Sequence, residues 1–277
     1  MSGTTPSNPA DRPAVRKGQD LLPRATVYIA ALPRSGSTML ANLLSSPPDH
    51  WVLVEPGLHR AQPSPNLRNQ LDRFVSAAAP AASEAPPAAP TAAGRRLLFK
   101  QLADLLPTLG AWGVKEVDTD HRDAIAYLRP TKTIVLVRDI RDALLSLLEK
   151  QSMFGRHWSP AGYMEYLRDC CTALISLAGD QDPNTRVCRY EDLVSSPGER
   201  QALADWLSWP LDGDISRNLD LYRREYEVAR HDGTITARSV GRHTRDANDT
   251  RAEIARQFGA LLEDFHRTFG YRVELGD

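Results

Sequence analysis

The chain has 277 residues, 42% hydrophobic and 25% charged, a globular composition with room for one large α/β domain or at most two small ones. Its 34 basic and 35 acidic side chains leave a net charge of −1, so no broad positive field favours nucleic acid or an anionic membrane. Three cysteines (Cys170, Cys171 and Cys188) and seven scattered histidines show neither metal-ligand spacing nor a disulfide framework, and no metal is expected.

In chain order, residues 1–24 read as a disordered tail of polar and proline-bearing sequence. The first 25 residues lack the apolar core of a signal peptide, and no apolar run approaches the ~20 residues that span a bilayer. The expected location is therefore cytoplasmic, with residues 25–277 as one domain. Five short Val- and Ile-rich runs are predicted as strands: 26–32, 51–55, 112–116, 132–137 and 185–190. Their near-continuous hydrophobicity is that of strands buried on both faces. Helical patterns cover 36–46, 95–109, 121–129, 140–153, 160–179, 196–209 and 248–268. Ser196, Pro197 and Glu199 make a capped start for the helix at 196. The alternation predicts an α/β fold, a central parallel sheet flanked by helices, with ligands at the carboxyl ends of the strands. The Ala/Pro-rich stretch 76–94 is expected to be a flexible surface insertion, because its prolines forbid a continuous helix.

The first strand runs straight into "LPRSGSTML", residues 32–40. A glycine turn, three hydroxyls and the amides opening a helix make an anion site, and Arg34 adds a planar donor fork. A nucleotide triphosphatase loop would carry a lysine after its last glycine, where this chain has Ser37 after Gly36. A serine-rich helix cap with an incidental arginine is the plainer alternative. A second feature stands in "KTIVLVRDIRDALLSLLEK", residues 132–150, where Arg138 ends a strand and Ser146 follows eight residues later. With the helix packed back along its strand, this pair makes a second anion clamp, while Asp139 caps the helix.

The two motifs together resemble the sulfotransferases that use 3′-phosphoadenosine-5′-phosphosulfate (PAPS), with a nucleotide-triphosphatase-like fold. One is a strand–loop–helix of the Pro-Arg-Ser-Gly-Ser-Thr type; the other is a strand ending in Val-Arg-Asp-x-Arg with a serine eight after its first arginine. "CRYEDLVSSP" (188–197) also resembles a segment of that family, and "SVGRH" (239–243) suggests its cofactor-closing loop. The likeness is to bacterial-type members, nearer the carbohydrate and tyrosylprotein branches. It implies that Arg34, Ser35, Gly36, Ser37, Thr38 and Met39 hold the 5′-phosphosulfate. Arg138 and Ser146 would hold the 3′-phosphate, with Tyr190, Arg238, Ser239 and Arg242 nearby, and 3′-phosphoadenosine-5′-phosphate (PAP) would be the product.

Sulfuryl transfer also needs a base and a cation for the leaving oxygen. Glu55, ending "WVLVE", is the candidate base and His59 its rival. Lys115, ending "WGVK", or Arg34 is the candidate cation; a surface lysine paired with Glu116 or Asp118 is the alternative for Lys115. Glu191 and Asp192 are expected to stabilise a loop. Cys170, Cys171 and Trp112 read as core, while His157 and Trp158 are positional candidates for the acceptor site. Two other functions stay open: a P-loop-like small-molecule kinase, and a non-catalytic PAPS- or PAP-binding module that would not need Glu55 or Lys115. The acceptor, whether small molecule, saccharide or peptide, is not written in the sequence. Its specificity falls to loops, here 56–75, 76–94 and 151–160. No oligomeric state follows either.

Overall fold

The structure is a computed structural model that describes residues 22–60, 62–78, 92–154, 160–211, 234–245 and 250–272. Five strands form one parallel sheet: β1 (Val27–Ala31), β2 (His50–Val54), β3 (Ala111–Glu116), β4 (Lys132–Val137) and β5 (Thr185–Arg189). Each lies within one residue of its predicted run. The order is β2-β3-β1-β4-β5. β1 is buried throughout, as are β4 after Lys132 and β3 after Ala111, which is why their sequences carry no polar alternation.

Helices cover the sheet: α1 (Ser37–Leu44), α2 (Asn66–Ala78), α3 (Ala92–Leu105), α4 (His121–Leu128), α5 (Ile140–Phe154), α6 (Pro160–Ala178), α7 (Tyr190–Ser195), α8 (Pro197–Leu207), α9 (Arg242–Arg245), α10 (Thr250–Ala260) and α11 (Glu263–Phe269). Ser196 caps α8 as its sequence predicts, its hydroxyl accepting from the Glu199 amide at 3.2 Å. Three expectations need correcting. The span 56–75, read as loop, contains the start of α2, whose Leu67, Leu71 and Phe74 fill the core at helical spacing. The helix expected over 248–268 breaks at Leu261–Leu262, where the Leu261 and Leu262 amides turn back to Phe258 and Gly259. Tyr190 opens α7 rather than ending β5. The tail to residue 21, the centre of the 76–94 insertion (79–91), His157 and Trp158 lie outside the described residues.

Strand order decides where a ligand can sit. From β1 the chain moves outward to β2, and from β4 it moves outward the other way to β5. The two connections diverge, so a crevice opens above the carboxyl ends of β1 and β4. Gly113 lets the sheet close beside it: a Cβ there would stand 2.4 Å from Val27 Cγ1 and 2.7 Å from the Val27 carbonyl oxygen. β3 is held against β1 by the absence of a side chain at that point.

Candidate active site

The loops following β1, β2, β3 and β4 all end on this rim. Residues 32–36 turn between β1 and α1, and Arg34 and Gly36 both take left-handed backbone, with φ of 63° and 78°. Gly36 is required twice over, because a Cβ would also lie 2.4 Å from the Tyr190 ring. No side chain caps α1, and the first turn bond runs from the Leu40 amide to the Gly36 carbonyl. The amides of Ser37, Thr38 and Met39 therefore open the helix with no carbonyl behind them. Ser35 is buried and its hydroxyl has no hydrogen-bond partner among the described residues. These are donors of the kind an oxyanion needs.

Arg138 follows β4 and is 5% exposed. Its Nη1 donates to the Arg34 carbonyl at 3.0 Å, its Nη2 donates to the Ser239 carbonyl, and its guanidinium lies 4.7 Å from the Tyr190 ring centre. Arg34 in turn donates from Nε to the Ser146 hydroxyl at 3.1 Å. The two sequence motifs, more than a hundred residues apart, are thus tied by two hydrogen bonds across one crevice. Asp139 caps α5 by accepting from the Arg141 amide at 3.0 Å. Glu191 accepts from the Asp139 amide at 2.9 Å and so steadies the turn behind Arg138.

The segment 237–243 lies against this pair. Tyr190 and Ser239 share a 2.7 Å bond between their hydroxyls. Arg242 forms a two-pronged ion pair with Glu149 on α5, at 2.9 and 2.5 Å. Arg238 is exposed. Sequence alone gives neither the Asp142 and Glu149 contacts nor the packing of Tyr190 on Gly36; the four-residue step from Arg138 to Asp142 is the signal that could have found the first.

On the β2–β3 side, Lys115 is buried, 1% exposed, and donates to Glu55 Oε1 at 2.6 Å. The strand register sets this contact: Val54 lies opposite Lys115, so the next residue of that chain passes over the lysine. The partner of Lys115 is therefore Glu55 and neither Glu116 nor Asp118. The Glu55 side chain is 33% exposed, whereas that of His59 is 3% exposed. His59 Nε2 faces Asp120 Oδ2 at 2.8 Å and its Nδ1 is enclosed. Arg60 pairs with Asp118 and Asp120. Burial raises the Asp120 carboxyl, but the hydrogen bonds and charges of His59 and Arg60 outweigh it and hold the group well below the usual carboxylate range.

Glu116 points the other way from Lys115 and accepts from the Gly57 amide at 2.7 Å. Burial pushes its carboxyl from 4.5 up to about 7, against the opposing pull of Gly57, His59 and Arg60. Between those two values the folded chain binds the proton more tightly than the unfolded chain, so this group's contribution to stability is lost as pH rises through the window. Glu116→Gln keeps an acceptor for Gly57 and removes the titration. Over pH 4.5 to 7 the variant should gain on wild type by roughly 3 kcal/mol in unfolding free energy. Denaturant unfolding at stepped pH checks this, and parallel curves for the two proteins would refute it.

Among the described residues no group of three His, Cys, Asp or Glu side chains is placed to hold a metal, and no helix is long and apolar enough to cross a membrane. The three cysteines are free and buried, and burial pushes the Cys170 and Cys188 thiols up to about 12.

None of the curated proteins matches the chain in sequence. Solved structures resemble it. A sulfotransferase from Mycobacterium avium is 13% identical, with 96% of this chain and 81% of that one covered and a TM-score of 0.50. The sulfotransferase domain from the curacin biosynthetic pathway is 15% identical, covering 91% and 99%, with a TM-score of 0.48. Retinol dehydratase in complex with retinol and PAP is 18% identical, covering 94% and 88%, with a TM-score of 0.44. The first of these likenesses speaks for the fold alone. The model of the sulfotransferase family matches residues 26–213, a span that holds β1 to β5 with both the Arg34–Thr38 loop and the Arg138–Ser146 motif, and the chain belongs to that family.

Proposed function

We propose that the crevice binds PAPS and that the chain transfers its sulfuryl group to a hydroxyl or amine of an acceptor. The observation that carries this reading is the bonded pair of motifs, Arg138 to the Arg34 carbonyl and Arg34 to Ser146. A donor with two anionic ends suits two adjacent clamps, and Ser37 in place of the lysine of a triphosphatase loop fits a ligand without a γ-phosphate. The amides of Gly36 to Met39, with the Ser35, Ser37 and Thr38 hydroxyls, would take the 5′-phosphosulfate. Arg138 and Ser146, closed in by Tyr190 and the 238–242 segment, would take the 3′-phosphate.

The donor supplies an activated sulfuryl group on a good leaving phosphate. Glu55 takes the acceptor proton, the acceptor oxygen or nitrogen bonds to sulfur, and the bond from sulfur to the bridging oxygen breaks with its electron pair leaving on PAP. Arg34, at the mouth of the loop, stabilises that leaving oxygen. Lys115 holds the Glu55 carboxylate in place from below. Glu55 is favoured over His59 as the base because its side chain is a third exposed at the carboxyl end of β2 while the His59 ring is enclosed. The acceptor is a small molecule, saccharide or peptide, and the site works in the cytoplasm.

The test is to incubate wild type with PAPS and an array of alcohols, phenols, amines and saccharides, reading acceptor mass gain and PAP release. Equal molar amounts of sulfated product and PAP support the reading. Phosphate transfer from a triphosphate, with none from PAPS, would replace it with the kinase alternative.

A further inference from the structure

We infer that Asp142 is a positioning residue that locks the 237–243 segment onto Arg138 and so gives the site its preference for a 3′-phosphate. This rests on the PAPS reading above. Asp142 sits one helical turn after Arg138 on α5, and its side chain is fully enclosed. Three donors converge on its carboxylate, all from one segment of chain about a hundred residues away. The Gly241 amide reaches Oδ2 at 2.6 Å, while the His243 amide and His243 Nδ1 reach Oδ1 at 2.9 and 2.8 Å. Arg138 Nη2 stands 4.0 Å from Oδ2, on the fourth side.

Convergence of this kind costs desolvation, and it persists only where every lone pair is used. What it secures is the path of residues 239–241. Ser239 at the head of that path accepts from Arg138 and bonds Tyr190, whose ring covers Gly36. A closed circuit therefore runs from the first loop through Tyr190, Ser239, Gly241 and Asp142 to Arg138, and back to the first loop at the Arg34 carbonyl. Releasing Asp142 opens this circuit at the segment beside Arg138 and leaves the amides at the start of α1 untouched. The effect belongs to one end of the cofactor only.

The test compares binding of PAP with binding of adenosine 5′-phosphate, which lacks the 3′-phosphate. In Asp142→Asn the amide nitrogen would face either the Gly241 amide or the His243 donors, a clash of donors. PAP affinity should fall about tenfold or more, while adenosine 5′-phosphate affinity stays within about twofold, so the preference itself collapses. His243→Phe keeps the backbone bonds and removes only the ring bond, and should lose part of the same preference. It carries the test if Asp142→Asn does not fold. A wild type that prefers PAP, beside variants that keep the same preference, overturns the inference. A wild type with no preference for PAP overturns the cofactor reading, and the inference with it.

Discussion

Arg138→Ala should lower PAP affinity about a hundredfold or more while leaving the fold largely intact. The size follows from what the guanidinium does. Charge-assisted hydrogen bonds contribute about 1.5–3 kcal/mol each, and a hundredfold change in affinity is about 2.7 kcal/mol. Arg138 is almost wholly enclosed, with its fork divided between the Arg34 and Ser239 carbonyls and its plane against Tyr190. It is thus pre-aimed at the seam between the two loops, and an anion arriving there meets a cation already stripped of water. Arg138→Lys keeps the charge but loses the fork and the stacking surface, so it should fall between wild type and Arg138→Ala. Calorimetric titration with PAP checks both variants. Wild-type affinity in Arg138→Ala would mean that the 3′-phosphate is held elsewhere.

Glu55→Gln should reduce turnover by about a hundredfold to ten-thousandfold, the usual worth of a general base, with PAP affinity unchanged. Glutamine is the informative replacement. Its side-chain oxygen can still accept from Lys115, whereas alanine would leave a buried ammonium, 1% exposed, without the carboxylate that compensates it. That loss costs on the order of 3 kcal/mol of stability and would mimic a catalytic defect. Steady-state kinetics with PAPS and any acceptor found in the array, beside calorimetry with PAP, separates the two effects. Full turnover in Glu55→Gln would remove the base role from this residue.

Much of this architecture is legible in the sequence, for physical reasons. "KTIVLV" and "TVYIAAL" are buried on both faces, so they are written as unbroken apolar runs that need no tertiary knowledge to recognise. A parallel sheet then places its ligand at the carboxyl edge, which is enough to bring Arg34, Glu55, Lys115 and Arg138 to one rim. What the sequence hides is pairing across distance. The Lys115–Glu55 contact depends on strand register, whereas local charge spacing offered only Glu116 or Asp118 as alternative partners. The Asp142–His243 contact joins residues 101 positions apart and has no local signature beyond an acidic residue one turn into a helix. The helix Asn66–Ala78 did carry a signal, Leu67, Leu71 and Phe74, masked by the proline-bearing sequence on either side. Its discovery narrows the segments free to act as acceptor loops.

If one crevice holds both anionic ends of a phosphoadenosine nucleotide on fixed protein donors, as proposed, the protein should tell PAP from adenosine 5′-phosphate. The direct measurement is calorimetric titration of wild type with PAP and with adenosine 5′-phosphate, in a chelating buffer. One-to-one binding of PAP is expected, tighter than that of adenosine 5′-phosphate by the contribution of Arg138 and Ser146. No binding of PAP, or equal affinity for the two nucleotides, would contradict it.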